Sequence, residues 1–186
     1  FFNIDTTPKA TSLPLFFFGY FVVNYNLVPE LRTYKIIGWT TILFGIILYL
    51  VDKLKTRLSI KKNFNTKNAI IVGFCQVLAL IPGVSRSGIV MTGARMLNFK
   101  REDAAKISFL LSIPALAGTG LFGSFVLISQ NYSVITFSSI LTIFLSFIFS
   151  YLSMKYLLIY LRKFSFNLIV GYRIILGMAI LSFIYL

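Results

Sequence analysis

Apolar runs alternate with short polar stretches along the whole chain, at about 13–28, 36–51, 69–81, 89–99, 107–128, 134–154 and 166–186. Several approach the ~20 residues that a helix needs to cross a bilayer. The pair 69–81 and 89–99 does not. The first of them reaches only about 20 Å at ~1.5 Å per residue, against a hydrocarbon core of ~30 Å. The break between them is Pro82-Gly83-Val84-Ser85-Arg86-Ser87-Gly88. The stretch 69–99 is therefore either one broken span or a re-entrant hairpin that enters and leaves on one side.

Loop charge separates the two. With a hairpin and the 52–67 loop inside, the inner cations are Lys9, Lys53, Lys55, Arg57, Lys61, Lys62, Lys67, Lys100, Arg101, Lys106, Lys155, Arg162 and Lys163. Only Arg32 and Lys35 then lie outside. If 69–99 spans instead, the later loops change sides and the bias disappears, with 7 cations inside and 8 outside. Cytoplasmic loops carry the excess of Lys and Arg, which favours the hairpin. The predicted fold is all-α: a polytopic integral membrane bundle of five spans plus one re-entrant pair, with Phe1 inside and Leu186 outside. Residues 1–186 form a single membrane domain. Such discontinuous helices occur in inverted-repeat architectures, where each half supplies one near the midplane; this chain shows only one, so its first half is expected to be incomplete.

Composition agrees with the pattern. The 186 residues are 58% hydrophobic and 17% aromatic, values of a membrane protein rather than a soluble domain. The net charge of +13 would suggest nucleic acid in a soluble chain. Here the basic residues cluster in short loops, which fits anionic lipid and cytoplasmic orientation, and no basic groove with interleaved aromatics marks a nucleic-acid site. The single cysteine, Cys75, excludes an intrachain disulfide. The absence of histidine excludes His ligands, a His base and a Ser-His-Asp triad within this chain. The start at Phe1 resembles neither a signal nor a transit peptide, and a fragment or processed product is expected.

The chemistry concentrates at the break. An arginine within a membrane segment costs roughly 2.5–3.5 kcal/mol on insertion scales and calls for an anionic partner. Gly83 and Gly88 permit a sharp turn and close backbone approach. A short helix starting near Ser87 would aim its N-terminal amides into the membrane interior. Arg86 adds a planar fork suited to phosphate oxygens, and Ser85 and Ser87 add hydroxyls or a helix cap. Gln76 lies on the same hairpin and serves either a substrate contact or a core hydrogen bond. The bland alternative is a structural turn with Arg86 tied to carbonyls. Arg95, near the inner end of its run, is expected to snorkel to the interface. Arg173, inside the last run, anchors at the interface or pairs with a neighbouring helix. The five acids, Asp5, Glu30, Asp52, Glu102 and Asp103, sit in loops or at loop edges, and no carboxylate pair marks a divalent-metal site. Glu102 and Asp103 are expected to balance Arg101 and Lys106 locally.

The segment 73–118, GFCQVLALIPGVSRSGIVMTGARMLNFKREDAAKISFLLSIPALAG, resembles the second signature region of the bacterial undecaprenyl-diphosphate phosphatases, the bacitracin-resistance family. Gln76, Ala79, Pro82, Gly83, Ser85, Arg86, Ser87, Gly88, Ser108, Phe109, Leu110, Leu111 and Pro114 match its pattern. Pro14 with Gly19, and Tyr172 with Arg173, resemble flanking helices of the family. The resemblance implies a membrane hydrolase of the bacterial cytoplasmic membrane. It would cleave undecaprenyl diphosphate to the monophosphate, recycling the carrier for peptidoglycan synthesis and conferring bacitracin resistance. It also implies that Arg86 binds the diphosphate with Ser85 and Ser87 beside it, lined by Gly83, Gly88 and Gln76, in contact with membrane lipid. A homo-oligomer is compatible with this reading.

Two departures accompany the resemblance. Val90 stands where the family pattern has Thr, and Thr92 lies two positions on. The family's first signature, which supplies two acids for a divalent cation (Mg or Ca), a Ser and a His, is absent. The cation is thus expected from the resemblance without ligands in this chain. The chain looks like the C-terminal two-thirds of the family and alone is expected to be inactive or nearly so. A polyprenyl-phosphate transporter or flippase, and an inactive fragment with a structural role, are the alternatives.

Overall fold

The computed structural model describes residues 14–15, 17–22, 32–56, 58–129 and 136–185, with side chains for all of these but 61 and 62. Lys9, Arg57, Asp5, Glu30 and both chain ends lie outside the described residues, so the predicted sides of Phe1 and Leu186 do too. The described part of the first apolar run is helical, and Gly19 in it lies beside Leu80 of the hairpin.

Seven helices follow: α1 (Tyr34–Asp52), α2 (Ile60–Asn63), α3 (Thr66–Val77), α4 (Arg86–Met96), α5 (Arg101–Ser129), α6 (Phe137–Lys163) and α7 (Asn167–Tyr185). Among the described residues the only β pairing is one isolated bridge. Helices α1, α5, α6 and α7 are long and apolar enough to cross a membrane. Their outward side chains are those a bilayer takes: Leu121, Phe122, Phe125, Ile143, Phe147 and Phe183 are all more than two-thirds exposed or close to it. Leu161 is the one buried residue of α6. Apolar surface on this scale is not carried into water by a soluble monomer.

Helix α6 runs nine residues past the end of its predicted apolar run at 154. At about 40 Å it exceeds the hydrocarbon core, so Lys155, Arg162 and Lys163 extend the helix where charge is tolerated. Helix α5 likewise begins ahead of its apolar run. Glu102 and Asp103 occupy its first turn, where the helix dipole favours acids.

The break at 82–88 makes a hairpin. Asn65 caps α3 by accepting from Asn68 N at 2.9 Å. The helix tightens into a 3-10 turn at Leu78–Leu80, and Pro82 and Gly83 then reverse the chain. Ser85 caps α4 by accepting from Gly88 N at 3.2 Å. At the other end Leu58 N donates to Asn98 O at 3.1 Å, and Lys100 N donates to Leu58 O at 3.2 Å. The chain therefore enters and leaves the hairpin at one end of the bundle, which is the geometry of a re-entrant pair. Val72, Val90, Ala94, Phe99, Ala104, Ile107 and Leu111 pack the hairpin against α5.

Helices α1 and α7 lie antiparallel and close. A β-carbon at Gly38 would meet Leu181 Cγ at 2.7 Å, and one at Gly177 would meet Gly38 O at 3.0 Å. Small residues admit this backbone approach, where interhelical packing rather than water exclusion holds helices together.

Asp52 ties the hairpin's open end together. It is buried at the end of α1. Its Oδ1 accepts from Arg101 Nε at 2.7 Å and lies 3.4 Å from Arg95 Nε. Its Oδ2 accepts from Phe166 N at 3.3 Å, just before α7. Arg95 is 1% exposed and also donates to the carbonyls of Phe99, Asp52 and Leu54. The expected snorkelling of Arg95 is thus corrected: its guanidinium has internal acceptors and does not go to the interface. Glu102 does balance local charge, against Lys106 at 2.6 Å, and reaches Arg162 of α6 at 3.0 Å. Asp103 accepts from Ile60 N at 3.2 Å and so also holds α2.

Candidate functional site

The hairpin tip rests on α1. Gly83 adopts φ 87°, and a β-carbon there would meet Ile37 O at 2.6 Å as well as the Thr40 hydroxyl. Thr40 Oγ1 lies 2.7 Å from the carbonyl oxygens of both Pro82 and Ile36. Thr41 Oγ1 donates to Gly83 O at 3.3 Å. On α5, Ser108 Oγ donates to Ser87 O at 3.3 Å. Glycine at 83 is thus required twice, by its left-handed backbone and by the contact it makes.

A cavity of about 400 Å³ opens at this tip, lined by Thr41, Gly83, Val84, Ser85, Ser87, Gly88, Met91, Ile169, Tyr172, Arg173 and Leu176. Thr41 precedes Asp52 by 11 residues on α1, so the cavity sits about 16 Å from the Asp52 end, near the middle of a ~30 Å core. Walls from α7 and α4 are largely apolar. The polar groups converge on one side.

Arg173 supplies the charge in the cavity. It is buried, donates from Nη2 to Gly83 O at 3.1 Å and reaches Thr41 O from Nε at 3.4 Å. Its Nη1 makes no hydrogen bond to a described residue and lies where a Gly88 β-carbon would stand 2.8 Å away. Ser85 Oγ and Ser87 Oγ are 3.2 Å apart and exposed at the same rim. The first-turn amides of α4 have no helical acceptor, as at any helix start. Together these make a donor-rich, positive pocket with no carboxylate among its lining residues.

The sequence-predicted residues divide. Ser85, Ser87, Gly83 and Gly88 line the cavity together. Arg86 does not line it. It is half-buried in the first turn of α4 between the two serines, with no hydrogen bond or ion pair to a described residue. Gln76 is fully buried away from the lining, and neither amide atom has a hydrogen-bond partner among the described residues. Val90 is core, 1% exposed, and Thr92 donates to Gly88 O at 2.8 Å, so neither reaches the cavity. Arg173, for which the sequence allows an interface anchor or a pairing with a neighbouring helix, is the arginine brought into the pocket. Two signals mark it in the sequence: a lone arginine in an apolar run, and the resemblance of Tyr172-Arg173 to a family helix.

The donor set of the described residues does not fit a divalent cation. Asp52, Glu102 and Asp103 lie at the far end of the bundle and are paired there, and no cluster of acids that could hold a metal occurs among the described residues.

Residues 9–179 match the bacitracin resistance protein BacA family. The chain belongs to this family. A protein of Pelagibacter ubique (strain HTCC1062) named undecaprenyl-diphosphatase is 46% identical over 175 residues, covering 94% of this chain and 68% of that protein. Undecaprenyl-diphosphatases of Ruegeria sp. (strain TM1040) and Alteromonas mediterranea are 36% and 37% identical, with 66% and 65% of their lengths covered. The chain thus spans about two-thirds of the length of these relatives. Within the BacA family, helices of this length and exposure make it a multi-pass membrane protein.

Proposed function

We propose that this chain carries the headgroup-binding part of an undecaprenyl-diphosphatase of the bacterial cytoplasmic membrane. The reaction hydrolyses undecaprenyl diphosphate to undecaprenyl phosphate and inorganic phosphate, and so returns the lipid carrier to peptidoglycan synthesis. The observation that carries the reading is the convergence of Arg173, Ser85 and Ser87 on one mid-depth cavity with apolar walls. A lipid diphosphate has the matching shape: an anionic head and an apolar tail.

Phosphoryl transfer needs positioning and neutralisation of charge on the phosphoryl oxygens more than covalent chemistry. Arg173 fits that role because two of its nitrogens are fixed on Gly83 and Thr41 carbonyls, so its charge needs little rearrangement. The serine hydroxyls and the first amides of α4 donate to the remaining oxygens. Arg86 lies outside the cavity lining but is unpaired among the described residues and flanked by both lining serines, so a second phosphate that extends past the serine rim would meet it. Ile169, Met91 and Leu176 exclude water from the chain side of the head. The divalent cation that the resemblance implies has no ligand cluster among the described residues.

The test is phosphate release from undecaprenyl diphosphate in mixed micelles by the full-length protein, compared with Arg173→Ala and Ser85→Ala. Release by the wild type, reduced about 10²-fold or more in Arg173→Ala, supports the reading. Transfer of undecaprenyl phosphate between leaflets without phosphate release overturns it in favour of a transporter.

A further inference from the structure

A second cavity, of about 520 Å³, lies at the Asp52 end of the bundle and shares no lining residue with the first. Its lining carries six cations, Lys53, Lys55, Arg95, Lys100, Arg101 and Arg162, against two carboxylates, Asp52 and Glu102. Both carboxylates are already engaged. Asp52 faces Arg95 and Arg101, and Glu102 faces Lys106 and Arg162. Four positive charges therefore remain in excess around one hollow.

The lysines are the groups left for a ligand. Lys55 and Lys100 are exposed and make no hydrogen bond or ion pair to a described side chain. Lys53 sits over the Tyr49 ring at 4.3 Å, a contact that holds its ammonium beside the cavity without neutralising it. Like charges gather at a cost unless an anion is present. The cavity's polar rim suits the phosphate of such an anion, because lysine binds phosphate as a point charge.

The source of that phosphate follows from what lies next to the hollow. Leu54, 47% exposed, is in the lining, and Leu50, 57% exposed, stands one turn up α1. Apolar surface thus continues from the cavity along the outside of α1 into the membrane zone. A free phosphate ion makes no use of it; an acyl chain does. Basic pockets between membrane helices at a cytoplasmic face are suited to acidic headgroups for this reason.

We infer that this cavity binds the phosphodiester headgroup of an anionic phospholipid, held by Lys53, Lys55 and Lys100, with an acyl chain along Leu54 and Leu50. The site is independent of the diphosphate cavity. It uses Arg95, Arg101 and Asp52 only as the fixed floor.

The experiment is native mass spectrometry of the full-length protein in neutral detergent. It is titrated with phosphatidylglycerol, with phosphatidylcholine of the same chains, and with inorganic phosphate. The variant replaces the three lysines (Lys53→Ser, Lys55→Ser and Lys100→Ser); its melting temperature is measured without lipid to show that it folds. The expected result is phosphatidylglycerol binding at least about tenfold tighter than phosphatidylcholine, lost by about tenfold or more in the variant. Equal binding of the two lipids, or undiminished phosphatidylglycerol binding by the folded variant, overturns the site. Inorganic phosphate competing at comparable concentration overturns the lipid assignment. If the triple variant does not fold, Lys55→Glu alone is used, with the same two outcomes.

Discussion

Arg173 on α7 donates to the carbonyl of Gly83, at the tip of a hairpin 90 residues earlier, across 3.1 Å. One buried charge therefore fixes the turn that carries Ser85 and Ser87. It also closes the cavity those serines line. Binding and folding meet in this contact, and substitutions around it separate the two.

Gly83→Ala is expected to destabilise the protein. The backbone stays at φ 87°, and the new β-carbon would press on Ile37 O and Thr40. A left-handed residue with a side chain costs about 1–2 kcal/mol before any clash. Thermal unfolding in detergent checks it: a lower melting temperature is expected, and an unchanged one contradicts the docking of the tip on α1.

Gly88→Ala is expected to act on the reaction more than on stability. Its β-carbon would stand 2.8 Å from Arg173 Nη1, whose neighbours Nε and Nη2 are already bonded. Moving a charge by about 1 Å can cost 10²-fold in turnover. Steady-state phosphate release should fall by about tenfold or more while the melting temperature changes by only a few degrees.

Asp52→Asn should be far more damaging than loss of the exposed Arg162. The first leaves Arg95, 1% exposed, without its counter-charge, and removing one partner of a buried pair costs about 3–5 kcal/mol. Arg162→Ala breaks a surface pair with Glu102, worth about 0–1 kcal/mol. Joining Asp52→Asn to Arg95→Met removes the orphaned charge and should recover part of the loss. Chemical unfolding of the four proteins measures this order, and equal losses for Asp52→Asn and Arg162→Ala would contradict the hub.

The hairpin was legible because two physical facts coincide: runs too short to span, and a Pro-Gly break between them. Loop cations favour a hairpin over a span, and the Leu58–Phe99 bridge has the matching geometry. Gly83, Ser85, Ser87 and Gly88 reach one cavity because they lie on one short turn, 83–88. The burial of Arg95 is not legible in the sequence, since its acceptors at Asp52 lie 43 residues away and only packing brings them there. Arg173 was visible as a charge in an apolar run, but its acceptors are backbone carbonyls, which leave no mark in a sequence. Gln76 matched a motif yet is buried away from the cavity, because neighbouring positions on α3 face different sides.

Arg86 separates motif from cavity. If it holds the second phosphate, Arg86→Ala should lower turnover on undecaprenyl diphosphate by about 10²-fold, since an arginine at a transferring phosphoryl group is commonly worth 10³ or more. The melting temperature should hardly move, because no described residue pairs with it. Near-normal release would leave Arg86 as part of the turn alone.

The central claim is that the cavity at the hairpin tip holds a lipid diphosphate through Arg173. Its most direct measurement is calorimetric binding of a non-hydrolysable methylene-bridged polyprenyl diphosphate to the full-length protein, to Arg173→Lys and to Arg173→Ala. The account predicts loss of about 30-fold or more in affinity for Arg173→Ala, the cost of truncating one side of a buried charge pair, and partial retention for Arg173→Lys. Equal affinity for all three, with folding intact, would contradict it.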